Sequence, residues 1–461
     1  MALCGALVAV FLSLVAAGQG VAPPEKVCGP PRYCARTDTR VEPYPTVPLA
    51  IGAAGSIISD PNFNSRILRV TDARTDPRQP SESYATPSSG EENSWNADST
   101  KFYVRTLSGD TLLYDFDPST MGIHSSGVLD VAWTGEPQFS FSQPSILYGI
   151  ARGRPEFQQY DLSAKRAAEI DDATKCVKLK SSDSGRAVSV SADAQRIAMV
   201  IGPQQDSGFL VYVYDRGKGC RWYNTETGEI GGQWGAKGQV AIPGRYLIHD
   251  ARLNKSGQFI EISRSGASVK GIAPTQDGAP SLFWKIDSME VMPCGPKGCK
   301  GHHALGYAHL LNPSEQEHPL DLWIRPLNQL DKTLPLIKPL PAVEGWYDLH
   351  ISWNNVDPED SNPACLSTYR RDNPQTPGVA PRVVGPWENE IVCVETDGKA
   401  SKVWRFAHTY STTQNGFWSS PRGNVSQDGK FYMFTSDWED QLGRGAGASL
   451  YRTDVFVVEL K

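Results

Sequence analysis

SQDGKFYMFTS, residues 426–436, decides the fold. A small polar residue leads into a short turn built on Asp428 and Gly429, and a strand-forming run follows. The same pattern returns in NADSTKFYVRT (96–106), SADAQRIAMVI (191–201) and NKSGQFIEISR (254–264), and more weakly in SQPSILYGIAR (142–152). Two degenerate copies start at His309 (HLLNPSEQEHPLDLWI) and His350 (HISWNNVDPEDSNPACLSTYR). A second strand follows most copies and closes on a polar turn, as in DTLLYDFDPST (110–120), FLVYVYDRGKG (209–219) and TDVFVVELK (453–461). Strand, hairpin and strand recur about every 40–60 residues, the mark of a repeat architecture.

Seven units therefore begin near residues 91, 137, 186, 249, 309, 350 and 421. They predict an all-β fold over 61–461, a seven-bladed β-propeller of four-stranded antiparallel blades. SRILRVTD (65–72) has no partner of its own. It is expected to pair with the C-terminal blade, closing the ring and removing an open sheet edge. Helical periodicity is nearly absent, which argues against α/β folds. A two-sheet sandwich array is the alternative reading of the same strands.

Composition agrees with a long β domain. Apolar residues are 39% of the 461, aromatics 10%, with 42 Gly and 34 Pro to punctuate turns. A net charge of −6 and no polybasic run argue against nucleic acid or anionic membrane as partner. The apolar run Ala6–Ala17 inside residues 1–20 reads as a secretory signal peptide that lacks a basic start, and no later segment is long enough to span a bilayer. The mature form is thus expected to be secreted or periplasmic, with an extended arm over 21–60. Apart from Cys4 in the signal, eight cysteines remain, as expected of disulfides in an exported chain. Proximity favours Cys28–Cys34, Cys176–Cys220, Cys294–Cys299 and Cys365–Cys393. CGPKGC (294–299) mimics a metal knuckle but lacks a second pair at zinc spacing.

Aligning the units on the polar turn isolates one slot, five residues earlier. It holds Glu91, Pro137, Arg186, His249, His309, His350 and Pro421. The two prolines are followed at once by Gln138 and Arg422. In a propeller the slot falls near the start of each innermost strand, so the seven positions face one funnel. His408, in WRFAHTYST, lies just before the last unit. A one-residue slip, easiest in units two, five and six, would turn these side chains elsewhere.

Convergent imidazoles with an open position suit a divalent metal such as Mn, Zn, Fe or Ca, with no organic cofactor. A histidine beside an arginine suits another task. The cation neutralises a carboxylate while the imidazole removes the proton α to it, as β-elimination on a uronic acid requires. The bland alternatives are hydrogen-bonded structural histidines and a structural ion pair at Arg186. His302 and His303, after CGPKGC, read as loop residues, and His302 alternatively reaches the funnel. His124 and His318 read as surface. Gln138, Glu91, Arg422 and Trp353 are candidate substrate contacts. Trp346, Trp353, Trp387 and Trp418 are blade packing or, at the rim, a sugar platform. No carboxylate pair has glycosidase spacing, and GxSxG, P-loop and GxGxxG motifs are absent. NKS (254–256) and NVS (424–426) are glycosylation sequons in predicted turns.

The turns NADSTKF, SADAQRI and SQDGKF, each followed by a strand, resemble the repeats of TolB-like and WD-repeat-like propellers. More narrowly, the order Arg186, His249, His309, His350, His408 resembles the active-site layout of the oligogalacturonate lyases. The resemblance implies a histidine base and a metal held by histidines from successive blades plus a glutamine. Carried over, Arg186 would pair with the substrate, His249 would be the base, and His309, His350 and His408 would be ligands. The glutamine is the departure: Tyr347 stands three residues before His350, with Gln414 or Asn354 as substitutes. These readings give three expectations: a lyase acting on a uronate-containing oligosaccharide, a non-catalytic propeller binding a protein or glycan, and an oxidase or hydrolase using another metal.

Overall fold

Asn96, Ser191, Asn254 and Ser426 each open the same turn. The backbone N–H of each donates to the carbonyl five residues on, at 2.9–3.0 Å. Its side-chain oxygen accepts the N–H of that same residue: Lys101 (2.8 Å), Arg196 (3.0 Å), Phe259 (2.9 Å) and Phe431 (3.1 Å). The fourth turn residue is left-handed in all four, with φ 58° at Ser99, 57° at Ala194 and 68° at Gly257 and Gly429. Glycine adopts that conformation freely, and a serine or alanine adopts it at some cost. One small polar residue thus fixes the reversal and the register of each hairpin.

The computed structural model describes residues 28–203, 208–241, 247–264, 281–294, 299, 302–313, 322–337, 348–354, 356–369, 385–413, 416–445 and 451–461. The chain is a seven-bladed β-propeller of antiparallel, basically four-stranded sheets. Two single-turn 3-10 segments, Ala173–Lys175 and Gly416–Trp418, are the only helix among the described residues. From the inside outward, blade 1 is Tyr84–Ala85, Lys101–Thr106, Thr111–Asp117 and Gly122–Val128. Blade 2 is Trp133–Phe139, Ile146–Ala151, Glu156–Asp161 and Arg166–Asp172. Blade 3 is Ser184–Val190, Arg196–Gly202, Leu210–Asp215 and Gly219–Asn224, extended by Glu229–Gly232 and Gly238–Gln239. Blade 4 is Ile248–Leu253, Phe259–Arg264, Leu282–Lys285 and Val291–Pro293. Blade 5 is Ala304–Leu305, His309–Pro313, Leu322–Pro326 and Leu334–Pro335. Blade 6 is Asp348–Ser352, Ala364–Tyr369, Glu390–Val394 and Val403–His408.

Blade 7 is assembled from both ends of the chain. Gly423–Val425, Phe431–Ser436 and Asp454–Glu459 are completed by Arg66–Arg69 and then Ile57–Ser59. Ile67 lies opposite Val458, and Arg69 opposite Phe456. Asp454, fully buried, clamps the seam: Arg69 Nε and Nη2 donate to it at 3.1 and 2.5 Å, and Arg452 Nη1 at 2.5 Å.

The apolar core is divided into seven clusters, one between each pair of neighbouring blades. Leu68, Trp95, Phe102, Phe431 and Val457, for example, fill the wedge between blades 7 and 1. Each wedge needs both of its blades, so an open ring would expose one of them to water.

The four disulfides join the cysteines that proximity favours: Cys28–Cys34, Cys176–Cys220, Cys294–Cys299 and Cys365–Cys393. CGPKGC is thus a disulfide loop. Disulfides fit an exported protein. No described helix is long and apolar enough to cross a membrane. Residues 1–20, His318, Trp346, Tyr347 and Gln414 lie outside the described residues. Asn254 and Asn424, the sequon asparagines, are fully buried and hydrogen-bonded within the fold, so neither can accept a glycan in this state.

Ile67→Ala should destabilise the protein by about 2–5 kcal/mol, because a fully buried side chain at the seam is removed. Ile57→Ala, on the half-exposed fifth strand, should cost under about 0.5 kcal/mol. Denaturant unfolding of the two variants measures the contrast.

Candidate active site at the funnel mouth

The central channel is filled by the stretch that joins Tyr84–Ala85 to Trp95. Asn424 Nδ2 donates to the carbonyls of Ser89 (3.2 Å), Gly90 (3.1 Å) and Glu92 (2.7 Å). Asn354 Nδ2 also reaches Glu92 O, at 3.1 Å. Gln138 Nε2 donates to the Glu92 carboxylate at 2.9 Å, and Arg252 forms an ion pair with it. One short segment touches blades 2, 4, 6 and 7, which places it on the axis. Gly90 is required there: a Cβ would lie 1.9 Å from Ile351 O. Burial pushes the Glu92 carboxyl up to about 7 against the pull of Arg252. Burial and then the charge of Glu261 push Glu91 well above the carboxylate range.

A cavity of about 20 Å³, bounded by Glu91, Gln138, Phe141, Lys255, Trp353 and Asn354, adjoins this plug. That is room for one water and no sugar. Three of the four candidate substrate contacts, Glu91, Gln138 and Trp353, thus line a space too small for a sugar. Trp353 and Gln138 are each 2% exposed. Lys255 Nζ bonds the carbonyls of Leu305 and Trp353 beside them, and burial lowers it to about 8.

The chemistry collects where the innermost strands begin. Arg186 of blade 3 donates to the carbonyls of His249 (2.6 Å) and Ile248 on blade 4. Its guanidinium therefore positions the next blade's backbone, while the His249 side chain stays exposed. In blade 5, His303 pairs through Nδ1 with buried Glu261. The His302 ring lies 3.9 Å from that of His350 in blade 6. His350, fully buried, meets the Tyr369 hydroxyl through Nε2 at 3.2 Å, and the two rings stack at 5.7 Å.

Arg422 of blade 7 completes the arc. It is 1% exposed, and its guanidinium carbon lies 4.1 Å from the Phe417 ring centre and 5.4 Å from that of Trp418. Its Nε and Nη2 are buried with no hydrogen-bond acceptor among the described residues. Burial lowers it to about 10, although Glu136 and Tyr369 are near enough to pull the other way.

His309 and His408 stand elsewhere. Blade 5 turns at Gly306–Ala308, where Gly306 N donates to His309 O at 2.9 Å, so His309 opens the second strand. Its Nδ1 lies 2.9 Å from Asp360 Oδ2, in a cleft of about 430 Å³ shared with Glu359 and Glu395. His408 ends the outermost strand of blade 6. Its Nε2 contacts Glu42 O at 2.8 Å, and its ring packs on Tyr44 and Phe63 at 4.7 and 5.1 Å. Its work is to hold the N-terminal arm. The ligand set His309, His350 and His408 thus occupies a second, an innermost and an outermost strand and does not converge. Among the described residues no group of three or more His, Cys, Asp or Glu side chains is placed to hold a metal ion.

The arc gains two residues that the slot alignment passed over, His302 and Tyr369. His302 was legible as a loop histidine after CGPKGC; Tyr369 carried no signal beyond its place at the end of an alternating strand.

No protein-family profile and no characterised protein sequence matches the chain. Among solved structures it is similar to an oligogalacturonate lyase in complex with manganese: 11% identity over 93% of this chain and 98% of that one, TM-score 0.52. An oligogalacturonate lyase from Vibrio parahaemolyticus gives 10% identity over 88% and 98%, TM-score 0.51. TolB from Acinetobacter baumannii matches over 61% of this chain and 63% of its own, at 15% identity and TM-score 0.33. The two lyase likenesses show the seven-bladed fold.

Burial lowers the His408 pKa, but the charge of Asp60, 3.7 Å away, and of Glu390 more than offset it, so the net shift is upward. A raised histidine stabilises below its unfolded pKa of ~6.5 and loses that contribution as pH rises through its folded value. The stability gap between wild type and His408→Gln should be roughly 2 kcal/mol at pH 6. It should shrink at alkaline pH, as read by denaturant titration across the pH range.

Proposed function

We propose that this chain is an exported, lyase-like propeller that cleaves a uronate-containing oligosaccharide by β-elimination at the funnel mouth. The observation that carries the reading is Arg422, a buried cation with unmet hydrogen-bond donors near Tyr369, whose hydroxyl meets His350. Unmade donors cost about 1–3 kcal/mol each when buried. Stacking on Phe417 and Trp418 returns about 0.5–2 kcal/mol. A carboxylate supplies roughly 1.5–3 kcal/mol per charged hydrogen bond, so an anion is the partner that closes the balance.

In this reading Arg422 takes the sugar carboxylate. Its charge opposes the negative charge that builds on the carboxylate as the α-proton leaves. His249, exposed at the mouth on a backbone that Arg186 holds, is the base. The electron pair of the broken C–H bond forms the ring double bond, the glycosidic C–O bond breaks, and the leaving oxygen takes up a proton. In this reading Tyr369, whose hydroxyl meets His350 Nε2, gives that proton. The fold likeness to two oligogalacturonate lyases supports the substrate class. Because His309, His350 and His408 do not assemble, no step is routed through a metal.

The dispersal of those three histidines favours a second reading, in which the funnel binds an acidic glycan without cleaving it. Incubation with oligouronides separates the two. Elimination generates ultraviolet absorbance from the new carbon–carbon double bond. His249→Ala should lower that rate about 10²–10⁴-fold. Arg422→Gln should lower it about 10²–10³-fold. Full activity in His249→Ala removes the assigned base, and binding without any product establishes the second reading.

A further inference from the structure

Arg422 is closed off in this state, and the cover is unusual. Of the large hydrophobic side chains exposed among the described residues, only Phe417 and Trp418 are aromatic, at 41% and 44%. Both belong to the single 3-10 turn Gly416–Trp418, and both stack on the guanidinium. Their rings meet edge to face at 5.4 Å. The inner faces thus cover a cation while the outer surfaces meet water. The turn carries no apolar core residue of its own. Ser420 Oγ donating to Phe417 O at 2.7 Å ties its C-terminal end.

We propose that this turn is an aromatic lid: it lifts off Arg422 when an acidic sugar ring enters, and Phe417 and Trp418 then pack on the pyranose face. Two facts drive the motion in the same direction. The buried Nε and Nη2 of Arg422 gain acceptors only from a ligand that reaches them, and a carboxylate matches their planar fork. An aromatic ring that leaves the cation takes up the apolar face of a sugar, an equivalent burial. The occupant is anionic because the hydroxyls of a neutral sugar accept from the guanidinium but leave its buried charge uncompensated, whereas a carboxylate does both. The inference rests on Arg422 as the carboxylate site but not on the elimination step.

The experiment uses the full chain carrying His249→Ala, to suppress turnover, labelled with 5-fluorotryptophan. The Trp418 fluorine resonance is assigned by its disappearance in Trp418→Phe. Trigalacturonate should shift that resonance in a saturable way, and maltotriose, the neutral control, should not. By calorimetry, Trp418→Ala and Phe417→Ala should each weaken trigalacturonate binding about tenfold, with thermal melting showing both variants folded at the assay temperature. The lid is overturned if trigalacturonate binds with the resonance unmoved, or if both alanine variants bind like the parent. If trigalacturonate binds and shifts Trp418 but the unmutated chain yields no unsaturated product, the elimination fails and the lid stands. If product forms with an unchanged KM in Trp418→Ala, the lid fails and the elimination stands.

Discussion

Everything in this molecule depends on the pairing of Arg66–Arg69 with Asp454–Glu459. A ring of twisted sheets has no core of its own; it has seven wedges, each shared by two neighbours. Joining the two ends of the chain in blade 7 fills the last wedge and covers the edge of Asp454–Glu459. The clamp of Asp454 between Arg69 and Arg452 adds charged hydrogen bonds at the joint. Only a closed ring brings seven innermost strands to a common axis, so the plug and the funnel mouth follow from the seam.

The fold was legible because a hydrogen bond writes itself into the sequence. A side-chain oxygen at the first turn position must accept the N–H five residues on, and the fourth position must tolerate a left-handed backbone. Those two demands generate NADS, SADA, NKSG and SQDG. Blade 2 turns at Ser140, whose N–H reaches Ile146 O at 2.8 Å, one residue longer, and blade 5 turns at Gly306 with a much shorter hairpin. Neither carries the signature, which is why an alignment on polar residues places His309 one strand too early.

The site was less legible for two physical reasons. Interior polar residues look the same whether they face a ligand or the protein: Gln138 and Glu91 carry the composition of a binding site, and both bound a space for one water. The plug has no periodicity at all, and its key residue, Gly90, matters for the side chain it lacks. His408 shows the complementary trap. A histidine near the start of a unit can belong to the outer rim, where Asp60 and the Glu42 carbonyl use it to fasten the arm. Arg422 was visible as the polar residue after a proline. Its importance lies in its surroundings, two rings and no acceptor, which the sequence records only as GFWSSPR.

The central claim is that an acidic sugar is held at the mouth by Arg422. The most direct measurement is a crystal structure of the His249→Ala protein with trigalacturonate. The account predicts a sugar carboxylate within hydrogen-bond distance of Arg422 Nε and Nη2, with the ring against Phe417 and Trp418. A trisaccharide seated in the His309–Asp360 cleft instead, or one at the mouth whose carboxylates avoid Arg422, would contradict it.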